Sequence, residues 1–144
     1  MHADECVAQL SSNATRIAAL FNGIEDEQAR RQPAPQAWSM LDVICHLYDE
    51  EREDFRPRLD ILLHHPETPF TPNDPEGWVT ARDYQSRDFR VVLAEFMDER
   101  AKSVAWLGTL AAPDWQHPFT RPDGSTFHPG DMLASWVAHD FLHM

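Results

Sequence analysis

Apolar residues recur every three or four positions along four stretches of the chain, which is the period of a helix that buries one face. These stretches run from 4 to 22, from 39 to 64, from about 88 to just before 113, and from 129 to the end of the sequence. The third stretch has an alternative start at Thr80. Four amphipathic helices without convincing strands predict an all-α four-helix bundle.

Local signals mark where the second helix begins and bends. Ser39 is a good N-cap, and Asp42 three residues later resembles a capping box with the shorter acid. Pro57 lies inside the apolar pattern of this helix. Because proline removes one backbone hydrogen bond and collides with the preceding turn, we expect a kink near Glu53.

The connections between the helices differ in length and composition. Residues 25–31 predict a short helical turn, and the proline-rich segment 65–78 predicts a long irregular crossing between the second and third helices. Residues 119–127 predict a small hairpin around the turn Pro122-Asp123-Gly124. The long crossing leaves the second and third helices free to run in the same direction.

Length and charge limit the classes of function. A chain of 144 residues, with 42% hydrophobic and 25% charged residues, predicts one globular domain over 1–144. Twenty-four acidic against twelve basic residues give a net charge of -12. This charge repels a phosphate backbone or an anionic bilayer, so we expect neither nucleic acid nor a membrane as partner, but a small-molecule substrate.

The cell compartment follows from the start of the sequence and from the cysteines. The first residues have no basic and apolar signal pattern, and no apolar stretch reaches the ~20 residues of a membrane-spanning helix. Cys6 and Cys45 lack CxxC spacing and are expected to be reduced and buried. Together these features predict a cytoplasmic protein.

Three of the eight histidines fall among core positions of the helices. His139 and His143 are four residues apart and continue the apolar stripe of Met132 and Trp136, so both should point inward. His46 lies in the middle of the second helix between apolar neighbours. Taken alone, His46 could be a core histidine satisfied by a carbonyl or a carboxylate, and His139 and His143 could be two half-exposed polar residues. Together, three inward imidazoles form a nitrogen set that suits a divalent transition metal with coordination positions left open.

Two segments carry a resemblance to a known family. The stretch Trp38-Ser39-Met40-Leu41-Asp42-Val43-Ile44-Cys45-His46-Leu47 and the stretch Leu133-Ala134-Ser135-Trp136-Val137-Ala138-His139-Asp140-Phe141-Leu142-His143 resemble the two hallmark segments of the DinB-like (DinB/YfiT) metalloenzymes. Their order and their separation of about ninety residues also agree with that family.

The resemblance implies a four-helix bundle of up-down-down-up topology that forms a homodimer. It further implies zinc, nickel or a similar metal held by His46, His139 and His143, and thiol transfer or isomerisation with low-molecular-weight thiols such as bacillithiol, mycothiol or glutathione. In the family the last segment continues, often with a glutamine, whereas this sequence ends at Met144. We therefore expect His143 in the last turn of its helix and a longer natural chain.

Two acidic residues near the histidines have alternative interpretations. Glu50 follows His46 by one turn and could bind an imidazole N–H, complete the coordination or act as a base, or it could be a solvated member of an acidic run. Asp140 adjoins His139 and could orient a ligand ring or face water. The catalytic residues stay unassigned at this stage.

These residues support three hypotheses for function. The first is a metal-dependent enzyme that transfers a small thiol, in which the metal activates the thiol for attack on an electrophile. The second is a non-catalytic bundle with a structural metal or a sequestered small ligand. The third is a metal-dependent hydrolase; the segment 139–143 has H-D-x-x-H in place of the H-E-x-x-H of zinc proteases, which argues against a protease.

Overall fold

The computed structural model describes residues 2–121 and 123–144. Its helices are α1 (Ala3–Leu20), α2 (Asp26–Ala29), α3 (Met40–Glu50), α4 (Arg56–His64), α5 (Pro75–Ala81), α6 (Phe89–Thr109) and α7 (Pro129–His143). A π-helical turn (Glu51–Phe55) joins α3 to α4, and a 3₁₀ turn (Tyr84–Ser86) precedes α6. Strands β1 (Phe119–Thr120) and β2 (Thr126–Phe127) pair antiparallel.

Four long elements form the predicted bundle: α1, the continuous segment from α3 to α4, α6 and α7. Helix α1 packs against α6 and α7, α3 packs against α6, and α4 packs against α7. One half of the core surrounds Leu10, Leu59 and Trp136, and the other half surrounds Ile44 and Phe96. The all-α four-helix bundle is therefore confirmed, while the up-down-down-up order of the helices stays a prediction.

Capping signals account for the observed helix starts. Ser39 accepts a hydrogen bond from the Asp42 backbone N–H, and the Asp42 carboxylate accepts the Ser39 backbone N–H in return. Asp88 caps α6 through the Val91 N–H, so the alternative start at Thr80 is wrong. Thr80 belongs instead to α5, a separate helix.

The crossing between the second and third helices is less irregular than expected. Residues 65–74 are non-helical, but α5 begins at Pro75, before the expected end of the irregular segment at Trp78. The Asp74 carboxylate accepts the Gly77 N–H, and Pro75 takes the first helical position, where its missing N–H costs nothing. An N-cap followed by proline therefore starts a helix inside a segment whose proline content suggested only loop.

At the place of the expected kink, the second helix contains a π-helical turn, Glu51–Phe55, which ends two residues before Pro57. A π-helical turn contains more residues than an α-helical turn and so changes which side chains face the core, and such turns occur frequently at functional sites. Here the turn directs Glu51, Asp54 and Phe55 into the protein, where all three are buried.

Other sequence expectations concern the cysteines, the hairpin and the membrane. Cys6 and Cys45 are free and buried, and burial raises the pKa of the Cys45 thiol to about 12. The hairpin closes through Gly124 at a φ of 84°, whereas Pro122 lies outside the described residues. Within 2–121 and 123–144, no helix combines the length and the apolar character needed to cross a bilayer.

Candidate metal centre

The three imidazoles expected to ligate a metal meet at one point. His46 comes from the middle of α3, whereas His139 and His143 lie on successive turns at the end of α7. One ring nitrogen of each lies within 4.8 Å of the others. The Nε2 atoms of His46 and His139 are 3.0 Å apart. The spacing of four residues on α7 thus places two rings one above the other, opposite the third.

Burial keeps these imidazoles neutral. His46 is 5% exposed, and desolvation lowers its pKa to about 3, with smaller contributions from His139 and His143. Desolvation also lowers the pKa of His139 to about 4 and shifts that of His143 downwards. A neutral imidazole has a lone pair on one ring nitrogen, so the three side chains are in the protonation state that binds metals.

The donor set fits a divalent transition metal. Two nitrogens that bind one zinc ion at about 2.0–2.1 Å lie about 3.3 Å apart, close to the 3.0 Å between His46 Nε2 and His139 Nε2. A hydrogen bond between these two Nε2 atoms would account for the closeness of His46 and His139, but not for the position of His143 beside them. His46 Nδ1 is buried and bonds no other described residue, so within the described protein the ring has no second partner. Three neutral nitrogen donors within 4.8 Å are the set that zinc, nickel and similar metals prefer.

Aromatic rings hold the imidazoles in place. The Trp38 ring lies 4.8 Å from that of His46 and stacks at 6.2 Å on that of His143. Phe55, which the π-helical turn directs inward, lies 5.1 Å from the His139 ring and stacks on Trp136. The predicted position of His143 in the last turn is confirmed, since α7 ends at this residue.

A pocket of about 470 Å³ opens over the histidines. Its walls combine the three imidazoles with Trp38, Glu50 and a segment at the start of α5, in full Trp38, His46, Glu50, Asn73, Asp74, Pro75, Glu76, His139 and His143. One face of the histidine cluster is therefore accessible to a small molecule. An accessible face distinguishes catalytic metal sites from closed structural ones.

Glu50 belongs to this pocket, and its interpretation as a solvated member of an acidic run is wrong. The side chain is 5% exposed, and its Oε1 accepts no hydrogen bond from any described residue. Burial, followed by the charge and hydrogen bond of Asp54, raises the pKa of Glu50 to about 8. Asp54 is in turn held by the Asn73 amide at 2.6 Å and by Arg58 at 2.8 Å.

Asp140 takes neither of the roles considered from the sequence. It is 0% exposed, and its two oxygens accept hydrogen bonds from Arg100 at 2.7 and 2.8 Å and from Asn13 at 3.0 Å. It therefore neither bonds a ligand ring nor faces water. Instead it ties α7 to α6 and α1 beneath the histidines.

Sequence reasoning missed three residues that contribute to the centre. Glu51 is buried and accepts hydrogen bonds from Arg100 and from the Trp136 indole, so it joins the π-helical turn to α6 and α7. Asp74 and Glu76 form the outer wall of the pocket. The cap and proline at Asp74 and Pro75 were a usable signal for a helix there, but not for its position beside the histidines.

Comparisons with known proteins identify the fold and the family of the chain. A chain of a solved structure described as "YfiT from Bacillus subtilis is a probable metal-dependent hydrolase with an unusual four-helix bundle topology" is 20% identical, with a TM-score of 0.83 over 98% of this chain and 81% of that chain. No curated protein sequence matches the chain. The family model of the DinB superfamily matches residues 9–144. The chain therefore belongs to the DinB superfamily.

Proposed function

We propose that this protein is a metal-dependent enzyme whose divalent ion, zinc or nickel, is held by His46, His139 and His143. The proposal rests on one observation: three neutral imidazoles converge within 4.8 Å at the floor of a pocket that a small molecule can enter. When bound, such an ion lowers the pKa of a ligated water or thiol and polarises a carbonyl group.

The reaction we favour is transfer of a low-molecular-weight thiol to an electrophile, as the family resemblance implies. Trp38 packs against His46 and Phe55 packs against His139, so both imidazoles are held in fixed positions. They would therefore fix the position of the metal that activates the nucleophile. The pocket walls exclude bulk water from the inner carboxyl of Glu50 and admit a small substrate beside it.

Hydrolysis is the second candidate reaction. The YfiT structure, which shares this fold, is described as a probable metal-dependent hydrolase. The same histidines and the same pocket would serve a water nucleophile as well as a thiol. A structural metal is the third alternative, and the pocket disfavours it, because structural sites are normally closed by four protein ligands.

Metal analysis tests the centre directly. Purified protein should contain about one equivalent of zinc or nickel, and His46→Ala and His139→Ala should each abolish it. His117→Ala is the matched control, because His117 is exposed and far in sequence from the centre. Equal metal content in all four proteins would refute the site.

Assays of the metal-loaded protein then separate the reactions. The wild-type protein is incubated with a haloaromatic electrophile and a panel of thiols, and separately with carboxylic esters and amides in the absence of thiol. Product formation that requires thiol supports the transferase, whereas ester or amide cleavage without thiol supports the hydrolase. Metal bound without either activity would support the structural alternative.

We also propose that the chain forms a homodimer, as the resemblance implies. Sedimentation equilibrium of the metal-loaded protein measures this state, and the mass of a single chain of 16.6 kDa at micromolar concentration would contradict it.

A further inference from the structure

The pocket over the histidines has a wall rich in hydrogen-bond acceptors. Beside the imidazoles, its polar lining consists of the carboxyl groups of Glu50, Asp74 and Glu76 and the amide of Asn73. No lysine or arginine belongs to its described lining. Asp74 and Glu76 are exposed at the rim, whereas Glu50 is buried at the inner end.

One oxygen of the inner carboxyl lacks a hydrogen-bond donor among the described residues. Glu50 is 5% exposed, and its Oε1 accepts no hydrogen bond from the described residues. A buried acceptor without a partner costs free energy, so a group that donates to this atom binds favourably. Neighbouring cations do not supply the donor: Arg58 is engaged by Asp54 at 2.8 Å, and Arg82 by Asp49 and Glu53 at 2.8 Å each.

The lining of the pocket also contains an aromatic side chain. Trp38 lies against His46 and His143 and lines the pocket with them. An indole ring attracts a cation through its electron-rich face, and tryptophan is the most effective residue in this respect. Carboxyl groups and an indole in the lining of one pocket are the surroundings that favour an ammonium group.

From this wall we propose that the pocket binds a small molecule that carries a primary ammonium group. The ammonium donates to Glu50 Oε1, its positive charge faces Asp74 and Glu76, and its carbon chain lies along Trp38. This places the reacting end of the molecule at the three histidines. The inference deepens the proposed function and rests on it only for that reacting end, because the ammonium subsite requires no metal.

The same wall selects against anions. A substrate whose charges are carboxylates meets Asp74 and Glu76 without a basic residue of the lining to offset the repulsion. The pocket therefore favours an amine-bearing thiol or ester over one that carries only carboxylates. Burial and Asp54 raise the pKa of Glu50 to about 8, so near neutral pH this carboxyl is neutral but still offers an oxygen as acceptor, and the negative charge of the lining comes from Asp74 and Glu76.

Two-dimensional NMR of the ¹⁵N-labelled full chain tests the subsite, with and without added zinc. The probes are benzylamine and benzoate, which share one ring and carry opposite charges. We expect benzylamine to shift the Trp38 indole N–H signal and the backbone signals of residues 73–77, with a Kd at least fivefold below that of benzoate. The difference should shrink as salt is raised, because Asp74 and Glu76 are exposed and screened.

Two glutamates give a matched pair of variants. Glu76→Gln removes a rim charge, and we expect it to weaken benzylamine binding about fivefold, which is the Coulomb attraction of one charge pair across about 4 Å of water. Glu67→Gln removes the same charge from an exposed position outside the pocket lining and should leave the Kd unchanged. Glu50→Leu removes the inner acceptor and should weaken binding further, while circular dichroism checks that the fold of this variant is retained.

The outcomes separate this inference from the proposed function. Benzoate binding as tightly as benzylamine, or equal effects of Glu76→Gln and Glu67→Gln, would overturn the ammonium subsite even if zinc binds stoichiometrically. Failure of the chain to bind zinc or nickel refutes the proposed function. Preferential benzylamine binding in the zinc-free protein would still support the subsite in that case.

Discussion

Arg100 joins α1, α7 and the π-helical turn through hydrogen bonds made inside the protein. Its guanidinium is 2% exposed, and it donates hydrogen bonds to Glu51, to both oxygens of Asp140 and to the Leu10 carbonyl. A buried cation loses several kcal/mol of hydration, and only well-placed carboxylates offset this cost. Loss of one partner therefore leaves a charge that the protein cannot solvate.

We expect Asp140→Ala to lower the free energy of unfolding by about 3–5 kcal/mol, because it leaves Arg100 buried and only partly compensated. Urea denaturation at neutral pH with a chelator present measures the change. Asp98→Ala breaks an exposed contact with Lys102 and should leave the denaturation midpoint nearly unchanged. Equal midpoints for Asp140→Ala and the wild-type protein would contradict this account of the network.

The sequence revealed the three histidines but not the acids around them. His139 and His143 lie on an apolar stripe, so their inward direction follows from helical spacing alone. Glu50 and Glu51 stand in an acidic run, a pattern typical of a solvated surface, yet both are buried. Glu51 lies in the π-helical turn and is bonded by Arg100, and a partner 49 residues away leaves no local pattern.

Helix α3 carries His46, and its start depends on one capping residue. Ser39 is 1% exposed; its Oγ accepts the Asp42 N–H at 3.1 Å, donates to the Asp42 carboxylate at 2.7 Å and accepts from the Gln85 amide at 2.8 Å. The cap therefore also joins α3 to the 3₁₀ turn before α6.

We expect Ser39→Ala to destabilise the protein by about 1–2 kcal/mol, since it removes the cap and leaves the Gln85 amide without this acceptor. Thermal unfolding followed by circular dichroism measures the loss. Ser135→Ala makes the same change at an exposed position inside α7 and should be neutral or slightly stabilising, because alanine is the better helix former. A loss as large for Ser135→Ala as for Ser39→Ala would argue against the cap.

Helix boundaries followed from the sequence wherever a cap and an apolar stripe coincide, as at Ser39 and Asp88. They did not follow for α5, whose seven residues show no buried face and stand among prolines. Such a short helix is stabilised mainly by its tertiary contacts, which a periodic pattern does not record. The sequence also did not predict that α5 packs against α3, which brings Asp74 and Glu76 to the pocket.

At the scale of the whole molecule, the centre joins segments that are far apart in the chain. Residues 38–50, 73–76 and 139–143 meet at one pocket. The contact between His46 and His139 spans 93 residues, so it forms only when α3 and α7 are both docked. Protonation of these rings is therefore linked to unfolding of the bundle as a whole.

This linkage predicts that the metal-free protein loses stability on acidification. The pKa is about 3 for His46 and about 4 for His139 in the folded protein, both lowered mainly by burial, and 6.5 is the ordinary value. Between about pH 6.5 and pH 4 the unfolded chain binds protons that the folded one excludes. The contribution of the two imidazoles to the free energy of unfolding is therefore fully present above pH 6.5. It decreases as pH falls, by about 1.4 kcal/mol per pH unit for each ring.

Replacing one ring tests the sign and the size of this effect. His46→Gln should make the dependence of the unfolding free energy on pH shallower by about 1.4 kcal/mol per pH unit between about pH 6 and pH 4.5. Urea denaturation with a chelator present provides the curves, and comparison with the wild-type protein cancels the contribution of the carboxylates. His117→Gln, at an exposed position, should retain the wild-type slope. If His46→Gln also retained it, the imidazole of His46 would not be held neutral by burial, and the donor set proposed for the metal would lose its central member.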